Sequence, residues 1–117
     1  MKLYHNPKCS KSRTAKKILD EACVDYQIHL YLNEPLSELE LFELLEKLDL
    51  NITDIIRTKE AVWKDNFKGN KYTNDELIKI VSENIKLLER PIIEHKNKAV
   101  VARTDETIAQ IISFYNS

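Results

Sequence analysis

The sequence predicts an α/β fold with a mixed four-stranded sheet, in the order β-α-β, a helical block, then β-β-α. Three observations carry this prediction. Short apolar strands flank a helix at the start, helical periodicity fills the middle, and a hairpin followed by a helix ends the sequence. With 117 residues, the chain fits one domain over 1–117, with the helical insertion at about 36–88. The net charge of −1 gives no reason to expect nucleic acid or a membrane as partner.

The first strand, Met1 to Tyr4, is predicted to lead into a helix. Pro7 ends the strand and fixes a turn. The apolar residues that follow have the spacing of an amphipathic helix: Ala15, Ile18, Leu19 and Ala22. Cys9 therefore falls at or just before the first helical turn, where free backbone N–H groups and a partial positive charge favour an anion. This position makes Cys9 the candidate catalytic thiolate.

Ionisation of Cys9 at neutral pH requires more than the helix. A free thiol has a pKa of about 8.5, and a value of about 6.5 corresponds to about 2.7 kcal/mol of preference for the anion. A helix end supplies about 0.3–1 kcal/mol, or up to ~2 kcal/mol when partly buried. We expect nearby cations to supply the remainder, first Arg13 and then a protonated His5. The alternative is that Cys9 is a small buried hydrophobic residue.

The segment from Asp25 to Leu32 alternates in polarity and is predicted to be the second strand. Its apolar positions are Tyr26, Ile28, Leu30 and Leu32. So short a connection implies a right-handed βαβ unit, in which the two strands are parallel and Cys9 lies at the carboxyl end of the first.

The sequence predicts a cytoplasmic protein whose cysteines are reduced. The sequence has neither a signal-peptide pattern nor an apolar run long enough to cross a bilayer, so we expect a cytoplasmic protein with reduced thiols. Cys9 and Cys23 form no C-x-x-C pair, and no second pair exists to bind zinc. We therefore expect no metal, and interpret Cys23 as structural; the alternative is that Cys23 resolves an oxidised Cys9.

Two capping boxes organise the helical block. Ser37 with Glu40 begins one helix, whose predicted inner face consists of Leu39, Phe42, Leu45 and Leu48. Thr73 with Glu76 begins another, with Leu77, Ile80 and Val81 inward. Shorter helical segments are predicted to include residues 55–57, 60–64 and 85–88. A loop is predicted at 66–70.

The last part of the chain is predicted to be a hairpin followed by a helix that Thr104 caps. If the turn is centred near Lys96 and Asn97, paired residue numbers sum to about 193, and Arg90 lies opposite Arg103 at the open end. Like charges so placed repel each other. The arrangement is tolerable when both side chains reach into water, and useful when an anion lies between them.

Five segments carry a more specific signal through their order and spacing. They are Y-H-N-P-x-C-S-x-S-R at Tyr4–Arg13, I-x-R-x-K-E at Ile55–Glu60, T-N-D-E-L-I at Thr73–Ile78, E-R-P-I-I at Glu89–Ile93 and A-R at Ala102–Arg103. Together they resemble the glutaredoxin-dependent arsenate reductase family over nearly the whole chain. The resemblance implies a thioredoxin-like fold in which the open end of the hairpin faces the Cys9 loop, with Pro91 in the cis form.

The resemblance also implies roles for individual residues. Cys9 matches the nucleophile, and Ser12 stands where a dithiol enzyme has its second cysteine. The matching anion-binding residues are Arg57, Arg90 and Arg103. The residues expected to stabilise the thiolate are His5, Ser12 and Arg13.

The implied reaction is the reduction of arsenate to arsenite. Glutathione would be the co-substrate, with no bound cofactor, and glutaredoxin would be the protein partner. Two alternatives remain open: a monothiol glutathione-dependent disulfide reductase, and a non-catalytic regulator of the Spx type. The absence of a C-x-x-C redox switch weighs against the second alternative.

Overall fold

The computed structural model describes residues 1–117, which form two compact units. The sheet unit consists of Met1–Glu34 together with Arg90–Ser117, and the helical unit consists of Pro35–Glu89. The helical insertion was predicted at about 36–88. That the two units make up a single domain stays a prediction.

The secondary-structure elements confirm the predicted order. The strands are β1 (Lys2–Tyr4), β2 (Gln27–His29), β3 (Ile92–His95) and β4 (Lys98–Val101). The α-helices are α1 (Ser10–Glu21), α2 (Glu38–Leu48), α3 (Ala61–Asn66), α4 (Asn74–Glu83) and α5 (Asp105–Asn116). Two 3₁₀ helices, Ile52–Ile55 and Ile85–Leu87, complete the helical unit.

The sheet has the strand order β2-β1-β3-β4 and is mixed, as predicted. β1 pairs in parallel with β2 and antiparallel with β3, and Leu3 lies opposite both Ile28 and Ile93. β3 and β4 pair in the predicted register, with Ile92 opposite Val101. The core of this unit packs β1 and β3 against α1 and α5. Its buried residues are Leu3, Ala15, Leu19, Val24, Ile93, Ala102, Ile108 and Ile111.

Both predicted capping boxes of the helical unit are present. The Ser37 hydroxyl accepts a hydrogen bond from the Glu40 amide (3.1 Å), and the Glu40 carboxylate accepts one from the Ser37 amide (3.0 Å). Thr73 and Glu76 repeat the arrangement at 3.2 and 2.9 Å. These bonds satisfy backbone donors that the first helical turn leaves free, and therefore fix where α2 and α4 begin.

The second strand is shorter than predicted, and its alternating apolar residues are not the buried ones. β2 has three residues, because the amides of Asn33 and Glu34 donate to the Leu30 carbonyl and turn the chain. As an edge strand, β2 leaves Ile28 43% exposed, whereas Tyr31, expected on the polar face, is 1% exposed. The alternation of apolar and polar residues therefore continues to Leu32, although β2 ends at His29.

The predicted inner face of α2 was half wrong. Leu45 and Leu48 are buried as expected, but Leu39 is 65% exposed and Phe42 is 51% exposed. The helix instead buries Leu41, Leu44, Leu45 and Leu48. These positions also have helical spacing, so the sequence of α2 contains two overlapping apolar stripes, of which the core covers one.

Candidate active site at the start of α1

Cys9 lies immediately before α1, in the N-cap position, which confirms the position predicted for it. Its backbone is extended, with φ −96° and ψ 124°. The Cys9 amide donates to the Asn6 carbonyl (3.0 Å), and the Cys9 carbonyl accepts the first helical hydrogen bond, from the Arg13 amide (3.0 Å). The side chain is half-buried. A reagent can therefore reach the sulfur, while the two hydrogen bonds hold the backbone of Cys9 in place.

The surroundings of Cys9 favour the thiolate. Burial raises the pKa of the Cys9 thiol. The backbone amides of Ser12 and Lys11 and the guanidinium of Arg90 together lower it by more, so the pKa of Cys9 lies below its ordinary value. Arg90 acts both through its charge and through a hydrogen bond to the sulfur.

A buried pair of side chains fixes the helix start beside Cys9. The Nδ1 atom of His5 lies 2.6 Å from the Ser12 hydroxyl oxygen, and that oxygen also accepts a hydrogen bond from the Asn6 amide (3.0 Å). His5 is 5% exposed and Ser12 is fully buried. The pair joins the end of β1 to the first turn of α1, and so holds the Ser12 amide next to the sulfur.

The expected contribution of a protonated His5 was wrong. Burial lowers the pKa of His5, and the charges of Lys16 and Arg13 lower it further. The imidazole is therefore neutral at neutral pH, where it forms a hydrogen bond with Ser12 but carries no charge. Its part in the site is positional.

The cation that lowers the pKa of Cys9 is Arg90, whereas the sequence argument placed Arg13 first. The guanidinium of Arg13 donates from Nη1 to the Pro7 carbonyl (2.9 Å), so it braces the turn that precedes the helix. A role for Arg13 in stabilising the thiolate stays a prediction.

Arg90 and Arg103 lie at the open end of the hairpin, as the predicted register requires. The Ala102 amide donates to the Pro91 carbonyl (2.8 Å), which extends the pairing of β3 and β4 by one step. The Arg103 guanidinium donates from Nη1 to the Arg90 carbonyl (3.2 Å). The Arg90–Pro91 peptide bond is cis, as expected. The hairpin therefore brings Arg90 to Cys9 and places Arg103 beside Arg90.

Arg57, the third predicted anion-binding residue, belongs to the helical unit. It follows the 3₁₀ helix Ile52–Ile55, and its amide donates to the Leu87 carbonyl (2.7 Å). Its guanidinium forms an ion pair with the Glu60 carboxylate, and both side chains are about a quarter to a third exposed. Its role in binding an anion stays a prediction.

The backbone amide of Lys11, which also lowers the pKa of Cys9, was not among the predicted contributions. The signal for its amide was available. Once Cys9 is placed before the helix, Lys11 and Ser12 become the second and third helical residues, whose amides have no partner within the helix. The hydrogen bond between His5 and Ser12 had no such signal, because it depends on how two buried side chains pack.

Cys23 does not fill the structural role predicted for it, because its side chain is exposed. It follows α1 with a left-handed backbone (φ 56°), and both cysteines are free thiols. The structure contains no group of three or more His, Cys, Asp or Glu side chains placed to hold a metal ion. Its helices include none whose length and apolar content would allow it to cross a bilayer.

Comparisons with known proteins identify the family and several relatives of this chain. A family model described as "ArsC family" matches residues 4–111. An "Arsenate reductase" of Haemophilus influenzae is 36% identical, over 94% of this chain and 97% of that protein. The "Global transcriptional regulator Spx" of Streptococcus pyogenes is 30% identical, over 95% and 84%. The solved structure "Arsenate reductase from Vibrio cholerae" is 35% identical, with a TM-score of 0.88 over 95% of this chain and 98% of that one.

Proposed function

Because the chain belongs to the ArsC family, we propose that it reduces arsenate to arsenite, with the Cys9 thiolate as nucleophile and with glutathione and glutaredoxin as reductants. The observation that carries the proposal is the state of one sulfur. Cys9 lies at a helix start, accepts a hydrogen bond from the Arg90 guanidinium, and has a pKa below that of an ordinary thiol. Such a thiolate beside a guanidinium suits attack on an oxyanion.

The first step forms a sulfur–arsenic bond. The Cys9 thiolate attacks the arsenic of arsenate, and one hydroxyl group leaves with a proton as water. Arg90 neutralises the arsenate oxygens and holds the arsenic in line with the sulfur. Since Arg90 also hydrogen-bonds the sulfur, one side chain orients both reactants.

The second step reduces arsenic. A glutathione thiolate attacks the Cys9 sulfur, and the sulfur–arsenic bond breaks with its electron pair remaining on arsenic. Arsenic gains two electrons and leaves as arsenite, while the two sulfurs lose one electron each and form a mixed disulfide. A glutaredoxin thiolate then attacks the glutathione sulfur and releases the Cys9 thiolate.

In this proposal the resolving thiol comes from glutathione, because no second cysteine follows Cys9 at C-x-x-C spacing. Ser12 occupies the position at which a C-x-x-C site would have its second cysteine, and its hydroxyl is already bonded to His5 and the Asn6 amide. A reducing compartment is needed to supply glutathione, so we propose a cytoplasmic location.

The other residues of the proposed site have distinct roles. Arg103 and Arg57 would bind arsenate oxygens together with Arg90, since guanidinium groups pair with two oxygens at once. Pro91 and the neutral His5 would position Arg90 and the Ser12 amide, while Arg13 braces the preceding turn.

A coupled assay with arsenate, glutathione and glutaredoxin tests the proposal. We expect arsenite release by the wild-type protein, none above the blank by Cys9→Ser, and wild-type release by Cys23→Ser as the matched control. Folded wild-type protein that releases no arsenite above the blank would reject the proposal.

A monothiol glutathione-dependent disulfide reductase is a second candidate, and the replacement of the second cysteine by Ser12 favours it. It would use the same Cys9 thiolate on a glutathione mixed disulfide. The Spx-type alternative is supported by one relative at 30% identity, but this chain lacks the C-x-x-C switch. Retention of RNA polymerase by this protein in a pull-down would favour that alternative.

A further inference from the structure

A groove of about 540 Å³ opens on the helical unit. Its walls are α2 from Phe42 onward, the 3₁₀ helix Ile52–Ile55 and the first two turns of α4. All of its lining residues belong to the helical unit, and none of them is a residue of the proposed arsenate site.

The groove has an apolar floor that continues onto the surface. Ile52 and Ile78, which are 2% and 8% exposed, form the floor, while Phe42 and Leu50 remain 51% and 40% exposed in the lining. Leu39 lies three residues before Phe42 on the same side of α2 and is also exposed. Single exposed apolar residues are ordinary, but apolar residues that continue along one groove mark interaction sites.

The charges in the groove have one sign. Its lining contains four carboxylates and no lysine, arginine or histidine; the acidic residues are Glu46, Asp49, Asp54 and Asp75. Asp54 accepts a hydrogen bond from the Asn51 amide (2.9 Å) and so also caps the 3₁₀ helix. The whole chain has a net charge of only −1, so this concentration of negative charge is local. It favours cationic partners and disfavours anionic ones.

We propose that this groove binds a short basic amphipathic helix of a partner protein. An apolar side chain of that helix would pack against Phe42 and Leu50 over the floor of the groove, and its lysines or arginines would face the carboxylates. Burial of the apolar residues provides the affinity, and the carboxylates select the sign of the partner. The proposal extends beyond arsenate reduction and does not depend on it.

Two synthetic peptides test the proposal with the full-length protein. The first has leucine and lysine at helical spacing over about four turns, and the second has glutamate in place of lysine. Binding is followed by fluorescence anisotropy of the labelled peptides and by chemical-shift changes of the protein amides. We expect saturable binding of the lysine peptide only, weakening as salt is added, with shifts at residues 42–54 and 74–78.

Matched variants separate this groove from general charge attraction. We expect Asp49→Asn with Asp75→Asn to weaken binding at least about fivefold, and Phe42→Gln to weaken it similarly. Glu43→Gln with Glu83→Gln removes as much charge outside the groove and should leave binding unchanged, as should Cys9→Ser. Circular dichroism verifies that each variant is folded.

Several results would overturn the proposal. These are no saturable binding of the lysine peptide, equal binding of both peptides, chemical-shift changes confined to the sheet unit, or equal loss of binding in the control variants. Dimerisation of the protein that Phe42→Gln abolishes would instead assign the groove to a second copy of the chain.

Discussion

Arg103 donates a hydrogen bond from Nη1 to the backbone carbonyl of Arg90 (3.2 Å), although the two arginines face each other at the open end of the hairpin. The expected repulsion is avoided because the two side chains take different partners. Arg90 turns its guanidinium to the Cys9 sulfur, and Arg103 reaches the main chain of Arg90. Each arginine thereby gains an acceptor, and the end of the hairpin becomes the cationic side of the thiol site.

The first prediction concerns the dependence of Cys9 on Arg90. Arg90→Ala removes the charge and the hydrogen bond that favour the thiolate, so we expect the pKa of Cys9 to rise and its alkylation at neutral pH to slow several-fold. Arsenate reduction should fall by about 10²-fold, as when one donor to a reacting oxyanion is lost. The thiolate absorbance measured against pH reports the pKa directly.

Two variants serve as controls for Arg90. Arg90→Lys keeps the positive charge but lacks the planar guanidinium group. It should therefore lower the rate of arsenate reduction more than it lowers the thiolate fraction of Cys9. Arg13→Ala should change the pKa of Cys9 less than Arg90→Ala does, because Arg13 is bonded to the Pro7 carbonyl. An equal rise in both alanine variants would contradict the assignment of Arg90 as the dominant cation.

The second prediction concerns the buried hydroxyl of Ser12. Ser12→Ala deprives the Asn6 amide and the His5 ring of their common partner, and leaving buried polar groups unsatisfied costs about 1–3 kcal/mol each. We expect a loss of about 2–3 kcal/mol in the free energy of unfolding, measured by urea denaturation. Ser10→Ala, on an exposed residue two positions earlier, should change it by less than about 0.5 kcal/mol.

The third prediction concerns the dependence of stability on pH. The pKa of His5 is lowered by burial, then by Lys16 and Arg13; that of His95 is lowered by burial, then by the amino terminus and Lys96. His95 has a buried Nδ1 without a hydrogen-bond partner. Both lowered values lie below the unfolded pKa of about 6.5, so the unfolded state gains protons first as the pH falls.

The contribution of the two histidines to the stability should therefore be complete above about pH 7.5 and should be lost as the pH falls through about 6.5. The slope should be at most about 1.4 kcal/mol per pH unit for the buried His5 and smaller for the more exposed His95. Urea denaturation at a series of pH values measures the slope. His5→Gln should reduce the slope, whatever its effect on the stability at high pH. A stability that rises as the pH falls from about 7.5 to 5.5 would have the wrong sign.

The parts of the fold that the sequence predicted are those set by local signals. Pro7 with the helical spacing after it placed Cys9, the capping residues Ser37 and Thr73 placed two helices, and the turn at Lys96 placed the register of the hairpin. Each signal acts within a few residues of the feature that it determines. Such features are independent of how the elements pack.

The errors arose where packing decides. The sequence of β2 cannot reveal that the strand lies at the edge of the sheet, so the alternation did not show that Ile28 would be left exposed. α2 has two possible apolar stripes, and only its neighbours select the one without Phe42. The direction of the Arg90 side chain likewise depends on where Cys9 lies in the folded chain. The register of the hairpin alone therefore could not decide whether the arginines reach into water or hold an anion between them.

The last prediction separates the two candidate reactions through Arg57. Arsenate is an anion that guanidinium groups stabilise, whereas the reacting bond of a mixed disulfide is neutral. If the protein reduces arsenate, Arg57→Ala should reduce kcat/KM for arsenate by about 10²-fold and leave reduction of a glutathione mixed disulfide nearly unchanged. Glu60→Gln removes the ion-pair partner of Arg57 but keeps the arginine, so it should retain arsenate reduction.

Equal loss of both activities in Arg57→Ala, with the fold intact, would show that Arg57 does not distinguish an oxyanion from a disulfide. Wild-type arsenate reduction by that variant would remove Arg57 from the proposed site while leaving Cys9 and Arg90 in place.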